Sequence, residues 1–338
     1  MKLSLIDYLV KENNNINIHF KKNPIKNHKK ILIIGSNGLV GLNILSALIN
    51  LKKKFKENIT IHCLSKSKLI YKISGAENKK KISFLKMDIT KKIPHGKYDL
   101  IIFSAGYSSP NSFLEDKSTL LIPSLGLINA FKTLKKNGKL IFFSSSEIYN
   151  GRNSSFLETY SGNTNFDDKR ATYINGKKFG ETLCYNKIKD GYSVIILRLS
   201  LAYGPGSGLN DKRVLNDFII KGLNKKKIKM LDRGQNLRKY IFITDVMIYI
   251  FKLLEKKKIG AFNITGKSKI RIFDLAKSIS DKVGAKLLLP KKINSIPGAP
   301  KNVNISVKKL NKVYKLNLIN LKKGIGKTIR WYKFLLKQ

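Results

Sequence analysis

The sequence predicts an α/β fold, a doubly wound parallel sheet with a smaller, mixed C-terminal region, and three observations predict it. Residues 30–41, Lys-Ile-Leu-Ile-Ile-Gly-Ser-Asn-Gly-Leu-Val-Gly, read as strand, tight turn and helix. An apolar run from Ile31 to Ile34 enters glycines at 35, 38 and 41, and helically spaced Leu42, Leu45, Leu48 and Ile49 leave them. Short apolar runs then alternate with helical patterns as far as residue 199, as expected of strands covered on both faces by crossover helices. Polar clusters fall at the ends of those runs, at 35–41, Asp88, 104–106, 144–147 and 200–203, where ligands bind in such sheets.

Taken in order, residues 1–29 are polar and Lys/Asn-rich after one amphipathic piece (Leu3, Leu5, Ile6, Leu9), and read as an extension outside the main domain. Strands are predicted at Ile31–Ile34, Ile59–Leu64, Ile82–Met87, Leu100–Phe103, Leu140–Ser144 and Val194–Leu199, and helices over Leu120–Leu134 and Tyr173–Lys187. Gly204-Pro205-Gly206-Ser207-Gly208 breaks the pattern. Beyond it come helices at 213–222, 244–254 and 272–283, a strand at 261–264, a Pro/Gly-rich loop at 290–300 and a last helix ending Trp331-Tyr332-Lys333-Phe334. The division is therefore 1–29 extension, 30–203 dinucleotide-binding sheet, and 204–338 mainly substrate-binding, partly interleaved with the sheet.

Composition narrows the function. At 338 residues and 42% hydrophobic content the chain buries a full core. The net charge of +46 invites a nucleic-acid reading, but the cations are almost all Lys in short scattered runs (52–54, 79–81, 225–227, 256–258), without an Arg-rich, aromatic-interleaved stripe. That is a solvated surface with some attraction for anions, so no nucleic-acid partner is expected. Cys63 and Cys184 sit in apolar contexts as free thiols, and the histidines at 19, 28, 62 and 95 share no metal-ligand spacing, so no metal site is expected. No apolar run approaches a membrane span, and Asp7 and Glu12 lie where a signal peptide needs apolar residues; the expected address is the cytoplasm.

The glycine turn has a physical reading. Gly35 permits the sharp turn, Gly38 lets backbone approach a pyrophosphate, and Gly41 lets the helix pack closely on the strand, with the anion at the helix N-terminus. Tyr173-Ile174-Asn175-Gly176-Lys177 places a phenol and an ammonium on one helix face, where the cation is expected to lower the phenol pKa and make a general base. Ser144-Ser145-Ser146-Glu147, leaving the fifth strand, can hand a hydroxyl to the same substrate oxygen.

Together these residues resemble the extended short-chain dehydrogenase/reductases that act on nucleotide sugars, the NAD-dependent epimerase/dehydratase family. The resemblance runs from about Lys30 to Lys333. It includes the three glycines, Asp88-Ile89, Ser104-Ala105-Gly106, the Ser-Ser-Ser-Glu-Ile-Tyr run ending at Tyr149, and Tyr173 with Lys177. It continues through Arg198…Tyr203-Gly204-Pro205, Gly234-Gln235…Arg238, Thr244-Asp245-Val246 and Gly260-Ala261-Phe262-Asn263. It implies a Rossmann sheet with NAD or NADP against Gly35, Asn37, Gly38, Leu39, Val40, Gly41, Ser65, Asp88, Ile89, Ser104, Ala105 and Gly106. By the same resemblance Tyr173 takes the proton from the sugar C4 hydroxyl, Ser145 shares it, Lys177 holds the nicotinamide ribose, and a 4-keto sugar forms.

Ser145-Ser146-Glu147, Arg170-Ala171-Thr172-Tyr173 and Asn210-Asp211-Lys212-Arg213-Val214 look most like the UDP-glucuronate decarboxylases of that family. A 4-keto group eases loss of the C5 carboxylate, with Glu147 in the reactive set. Ser146, Arg213 and Arg238 are then expected on the substrate, the two arginines on its pyrophosphate. A 4,6-dehydratase or 4-epimerase is the alternative in the same class. A catalytically silent NAD(P) sensor or a nucleic-acid binder of the same fold is the alternative outside it, one that has no need of Tyr173, Lys177 and Ser145. A homodimer through the helices near 119–136 and 173–188 is also implied.

The chain departs from the family pattern in places. Leu201 replaces the Asn of Arg-x-x-Asn-x-Tyr-Gly-Pro, Asn150 the usual Gly after Tyr149, and Ser145 the Thr of Thr-Ser-Glu. Leu64-Ser65-Lys66-Ser67-Lys68 lacks the acid that holds an NAD ribose, which leaves room for a 2′-phosphate and hence for NADP.

Overall fold

The computed structural model describes residues 4–67, 80–107, 118–152, 156–267, 269–290 and 304–338. Lys68 and all but the first residue of the predicted loop at 290–300 lie outside them. In chain order the strands are β1 (Lys30–Ile34), β2 (Thr60–Ser65), β3 (Ile82–Lys86), β4 (Tyr98–Phe103), β5 (Leu134–Ser145), β6 (Ser193–Leu199), β7 (Leu201–Tyr203), β8 (Lys227–Lys229), β9 (Leu237–Phe242), β10 (Gly260–Ile264), β11 (Lys269–Arg271) and β12 (Lys286–Leu288). The α-helices are α1 (Leu5–Glu12), α2 (Leu39–Lys54), α3 (Ser118–Leu121), α4 (Leu127–Thr133), α5 (Ala171–Lys189), α6 (Val214–Lys225), α7 (Ile243–Glu255), α8 (Ile272–Val283), α9 (Lys308–Val313) and α10 (Leu321–Leu335).

A seven-stranded sheet in the order β10-β6-β5-β4-β1-β2-β3 organises the molecule, with every pairing parallel. Period-two alternation explains why its strands read as unbroken apolar runs. Ile31 and Ile33 enter one core while Leu32 and Ile34 enter the other, and Ile141 and Phe143 oppose Leu140 and Phe142 in the same way. Both faces are covered, so neither set of side chains meets water.

Strand order reverses between β1 and β4. Crossovers leave the sheet in opposite directions there, and a crevice opens at the carboxyl ends. The segment after residue 203 contributes β10 to this sheet, beside β6, and otherwise builds two small sheets, β11-β9-β7 and β12-β8. Strands β7, β8, β9, β11 and β12 carry no legible alternation in the sequence.

Two expectations need correcting. The single helix predicted over Leu120–Leu134 is three pieces: α3, a π-helical stretch at Ile122–Gly126, and α4. Pro123 has no N–H to donate and its ring crowds the preceding turn, so the ladder slips by one residue. Ser124 Oγ then bonds to the carbonyls of Leu120 at 2.8 Å and Leu121 at 3.2 Å.

The N-terminal segment, read as lying outside the main domain, is built into the core. Ile6, Leu9, Ile16, Phe20 and Ile25 are fully buried. Asn13 donates to Asn43 (2.8 Å) and Ser46 (2.6 Å) on α2 and accepts from Thr244 of α7 at 2.8 Å. Tyr8 stacks on Phe334 of α10 at 4.7 Å. The sequence hides this because past α1, which carries Ile6 and Leu9, the buried Ile16, Phe20 and Ile25 stand singly among polar residues in a 3₁₀ turn and irregular chain.

Candidate active site

The glycine turn, the turn at 104–106 and the Ser145 turn sit at the carboxyl ends of β1, β4 and β5, which the parallel sheet brings to one edge. At the end of β1, Gly35 has φ +88°, and a Cβ there would lie 2.5 Å from the Ala105 nitrogen. Its lack of a side chain is demanded by the neighbouring turn at Ser104-Ala105-Gly106, where Ser104 Oγ donates to the Ile34 carbonyl at 2.9 Å. A Cβ on Gly41 would lie 2.3 Å from the Gly35 carbonyl, so this glycine sets the approach of α2 to the turn.

Gly38 is different. A Cβ there meets only the Gly35 carbonyl, at an ordinary 3.7 Å, so packing within the protein does not require glycine. Gly38 caps α2, offers no side chain to the first turn, and leads into Leu39 and Val40, leaving the helix N-terminus open to an anion. This cradle fits the pyrophosphate of a dinucleotide.

Around it, Asn37 Nδ2 donates to Ser67 Oγ at 2.9 Å, and the hydroxyls of Ser65 and Ser67 lie 3.3 Å apart. Lys66 Nζ lies 3.8 Å from Asp88. The Thr90 hydroxyl and N–H, at 2.7 and 3.0 Å, bind the Asp88 carboxylate and, with the Lys66 and Lys91 ammoniums, hold it below the usual range against partial burial. Ile89 is buried, and its carbonyl accepts from Asn129 at 2.8 Å.

The reactive side chains stand beside this cradle. Ser145 ends β5 and caps the 3₁₀ turn at Ser146–Tyr149, its Oγ accepting from the Glu147 N–H at 3.1 Å. Tyr173 and Lys177 rise from the first turns of α5. That helix comes close because Gly176 and Gly180 face it inward: a Cβ on Gly176 would lie 3.1 Å from Pro123, and one on Gly180 2.5 Å from the Phe142 ring.

Tyr173 hydrogen-bonds to Ser145, yet burial outweighs that bond and pushes the phenol up to about 12. The expected lowering of its pKa by Lys177 is therefore corrected. Lys177 Nζ donates to the Phe143 carbonyl at 2.7 Å and lies 5.9 Å from the Tyr173 ring centre. Burial draws this ammonium down to about 8, with Glu181 opposing. Gly106 faces it, a Cβ there falling 3.4 Å from Nζ.

Glu147 is clamped by Arg170, Nη1 to Oε2 at 2.5 Å, and Arg170 also touches Asn150 Oδ1 at 3.3 Å. Asn150 in turn donates to Asp168 at 3.0 Å, so this departure from the family pattern ties down the loop before α5. Arg238 reaches the same cluster. Its pKa is lowered by burial, with the Tyr240 phenol and Glu147 carboxylate opposing and Arg170 adding to the fall. Ser146 opens the turn that carries Glu147.

Arg213, expected on the substrate pyrophosphate, is tied into its own loop. Its Nε and Nη2 grip Asp211 at 2.6–3.1 Å, and Nη1 bonds to the Ala202 carbonyl at 3.1 Å. The site residues that sequence reasoning left without a role are Arg170, Asp211 and Glu181. Arg170 and Asp211 stood in stretches that carried the resemblance, and Glu181 carried a signal in its place four residues after Lys177 on the same helix face.

A sequence profile described as the NAD dependent epimerase/dehydratase family matches residues 31–265. The UDP-glucuronic acid decarboxylase 1 of Xenopus tropicalis is 25% identical over 267 residues, 77% of this chain but 62% of the relative's own length. The UDP-glucuronic acid decarboxylase 3 of Arabidopsis thaliana is 24% identical over 306 residues, 86% of each chain. Among solved structures, the epimerase Mth375 of Methanothermobacter thermautotrophicus superposes with a TM-score of 0.77 at 19% identity, over 95% of this chain and 96% of that one.

Proposed function

The chain belongs to the NAD dependent epimerase/dehydratase family, and we propose that it decarboxylates UDP-glucuronate, or a closely related nucleotide uronate, through transient oxidation at C4. The observation that carries this reading is the Ser145-Ser146-Glu147 turn beside Tyr173, with Arg170 on Glu147 and Arg238 close by. Loss of a carboxylate as CO₂ calls for cations that receive a uronate and for a carboxylate and hydroxyls that manage its protons.

Burial pushes the Tyr173 phenol up to about 12, so it is the phenolate form that accepts the C4 hydroxyl proton. The Lys177 ammonium and the positive ring of a bound dinucleotide would favour that form. Ser145, already bonded to Tyr173, orients the C4 hydroxyl. Lys177 holds the ribose and adds positive potential near the phenol. The dinucleotide supplies the hydride acceptor at C4. Once C4 is a ketone, the C5–carboxylate bond breaks and its electron pair is delocalised onto the C4 oxygen, where Tyr173 and Ser145 bind it. C5 then gains a proton and C4 regains its hydride, so the overall change is the uronate's carboxylate for hydrogen, with CO₂ released. Arg238 faces the substrate, and Arg213 serves it through the loop it braces with Asp211.

The test is incubation of purified protein with UDP-glucuronate, following CO₂ and the 340-nm absorbance. We expect CO₂ from the wild type and at least a ~10²-fold loss in Tyr173→Phe, the range of a missing acid–base group. A 4-keto product without CO₂ would replace decarboxylation by dehydration or epimerisation.

A further inference from the structure

Behind the reactive side chains lies a buried polar network that the chemistry above does not use. Tyr173, Lys177 and Glu181 recur every four residues along α5 and so share one face. Each meets a different residue at the end of β5. Tyr173 bonds to Ser145, Lys177 Nζ to the Phe143 carbonyl at 2.7 Å, and Glu181 Oε1 accepts from Ser144 Oγ at 2.5 Å.

Glu181 is itself held from β6, where Arg198 reaches both its oxygens, Nε at 3.0 and 3.1 Å and Nη2 at 2.7 Å. Arg198 Nη1 donates to Tyr149 Oη and to the Tyr160 carbonyl, both at 2.8 Å, and Tyr149 donates to Asn263 Oδ1 on β10 at 2.8 Å. Ser144, Glu181 and Arg198 are each 5% exposed. Burying so many polar groups is costly unless all are satisfied, and these are.

We propose that Glu181 is a positioning residue: by binding Ser144 and Arg198 at once it fixes α5 against the last turn of β5, and so sets where Ser145, Tyr173 and Lys177 stand relative to one another. The inference rests on the reactive set proposed above. It has an electrostatic consequence at Lys177. The ammonium faces the Phe143 carbonyl and the Phe142 ring from β5, Gly106 after β4, and Tyr173 and Glu181 on its own helix. Arg198 is neutralised by Glu181.

Burial favours the uncharged amine, and the Glu181 carboxylate opposes it. Lys177 is thus a base whose charged form is lost as pH rises through about 8. Without the Glu181 charge that loss comes at lower pH, because the carboxylate that opposes burial of the ammonium is gone.

The experiment measures NAD affinity of the full-length wild type, Glu181→Gln and Ser144→Ala by titration calorimetry from pH 6 to pH 9, with a melting curve at each pH. Wild-type affinity is expected to fall above about pH 8 as Lys177 loses its proton. In Glu181→Gln the fall begins about one unit lower, so binding is about fivefold weaker than wild type near pH 8, about tenfold weaker near pH 9, and close to it at pH 6. Ser144→Ala, which keeps the ion pair but removes the tie from Glu181 to β5, is expected to weaken binding equally at every pH with the limb still near pH 8.

Should Glu181→Gln not fold, Glu181→Gln/Arg198→Met leaves no lone buried charge and is expected to show the same displaced limb. In Glu181→Gln, equal weakening at every pH alongside a lower melting temperature would reduce Glu181 to a stability role and overturn the proposal. A profile identical to wild type would overturn it too, while leaving Tyr173 and Lys177 in place. A wild type that binds neither NAD nor NADP would sink the site reading itself, and this inference with it.

Discussion

At the scale of single residues, the glycines of one turn answer to different demands. Gly35 is fixed by the protein, through a positive φ and the backbone of Ala105; Gly38 has no such neighbour. Gly35→Ala is therefore expected to cost at least ~2 kcal/mol of stability in urea unfolding, from strain and a backbone clash. Gly38→Ala should unfold within ~1 kcal/mol of the wild type yet bind dinucleotide at least ~10-fold more weakly, because the added methyl occupies the anion's place. Unchanged affinity in Gly38→Ala would remove the pyrophosphate from that position. Ser65 sets a second test. With hydroxyls and Lys66 where a ribose-binding acid would repel a 2′-phosphate, NADP is expected to bind at least as tightly as NAD in parallel titrations. Clearly tighter NAD would show that Asp88, close to Lys66, spends its charge.

At the scale of elements, α1 and the turn after it act as a staple. Asn13 joins α2 to α7, and Asn43 carries the link on to the Leu39 and Pro205 carbonyls, both at 2.8 Å. The cofactor-side helix and the loop after β7 thus share one buried amide chain. Asn13→Ala leaves Asn43, Ser46 and Thr244 without this partner in a dry site. A loss of ~2 kcal/mol in chemical unfolding follows from buried groups left unsatisfied. A change under ~0.5 kcal/mol, the usual effect of a surface substitution, would return residues 4–25 to the role of an appendage. The Pro123 slip belongs to this scale as well, since it places Thr119 and Pro123 where Gly176 and Gly180 let α5 approach.

At the scale of the whole molecule, the outer faces of α3, the π-helical stretch and α5 carry Leu120, Leu121, Leu125, Phe179 and Tyr185, each 39–47% exposed. A face of this kind on two adjoining helices suits a second copy of the chain, matching helix to helix across a two-fold axis. Light scattering at micromolar concentration is expected to give twice the chain mass, and Leu125→Glu to return it to one. A wild-type monomer would end the homodimer reading. Among the described residues no helix is long and apolar enough to cross a membrane.

The sequence by itself determined the parallel sheet, the turn at 35–41, the Tyr173–Lys177 pair and the Ser145–Glu147 turn. All of these rest on local spacing: period two or 3.6, or a glycine where a chain must turn. Only the tertiary structure decided that Arg170 holds Glu147, that Arg213 pairs with Asp211, that Ile6, Leu9, Ile16, Phe20 and Ile25 join the core, and that β10 closes the sheet's edge. It also reversed the expected direction of the Tyr173 pKa. The physical reason is common to all of them. Partner choice and desolvation depend on what lies across the fold, and distance along the chain carries no record of it.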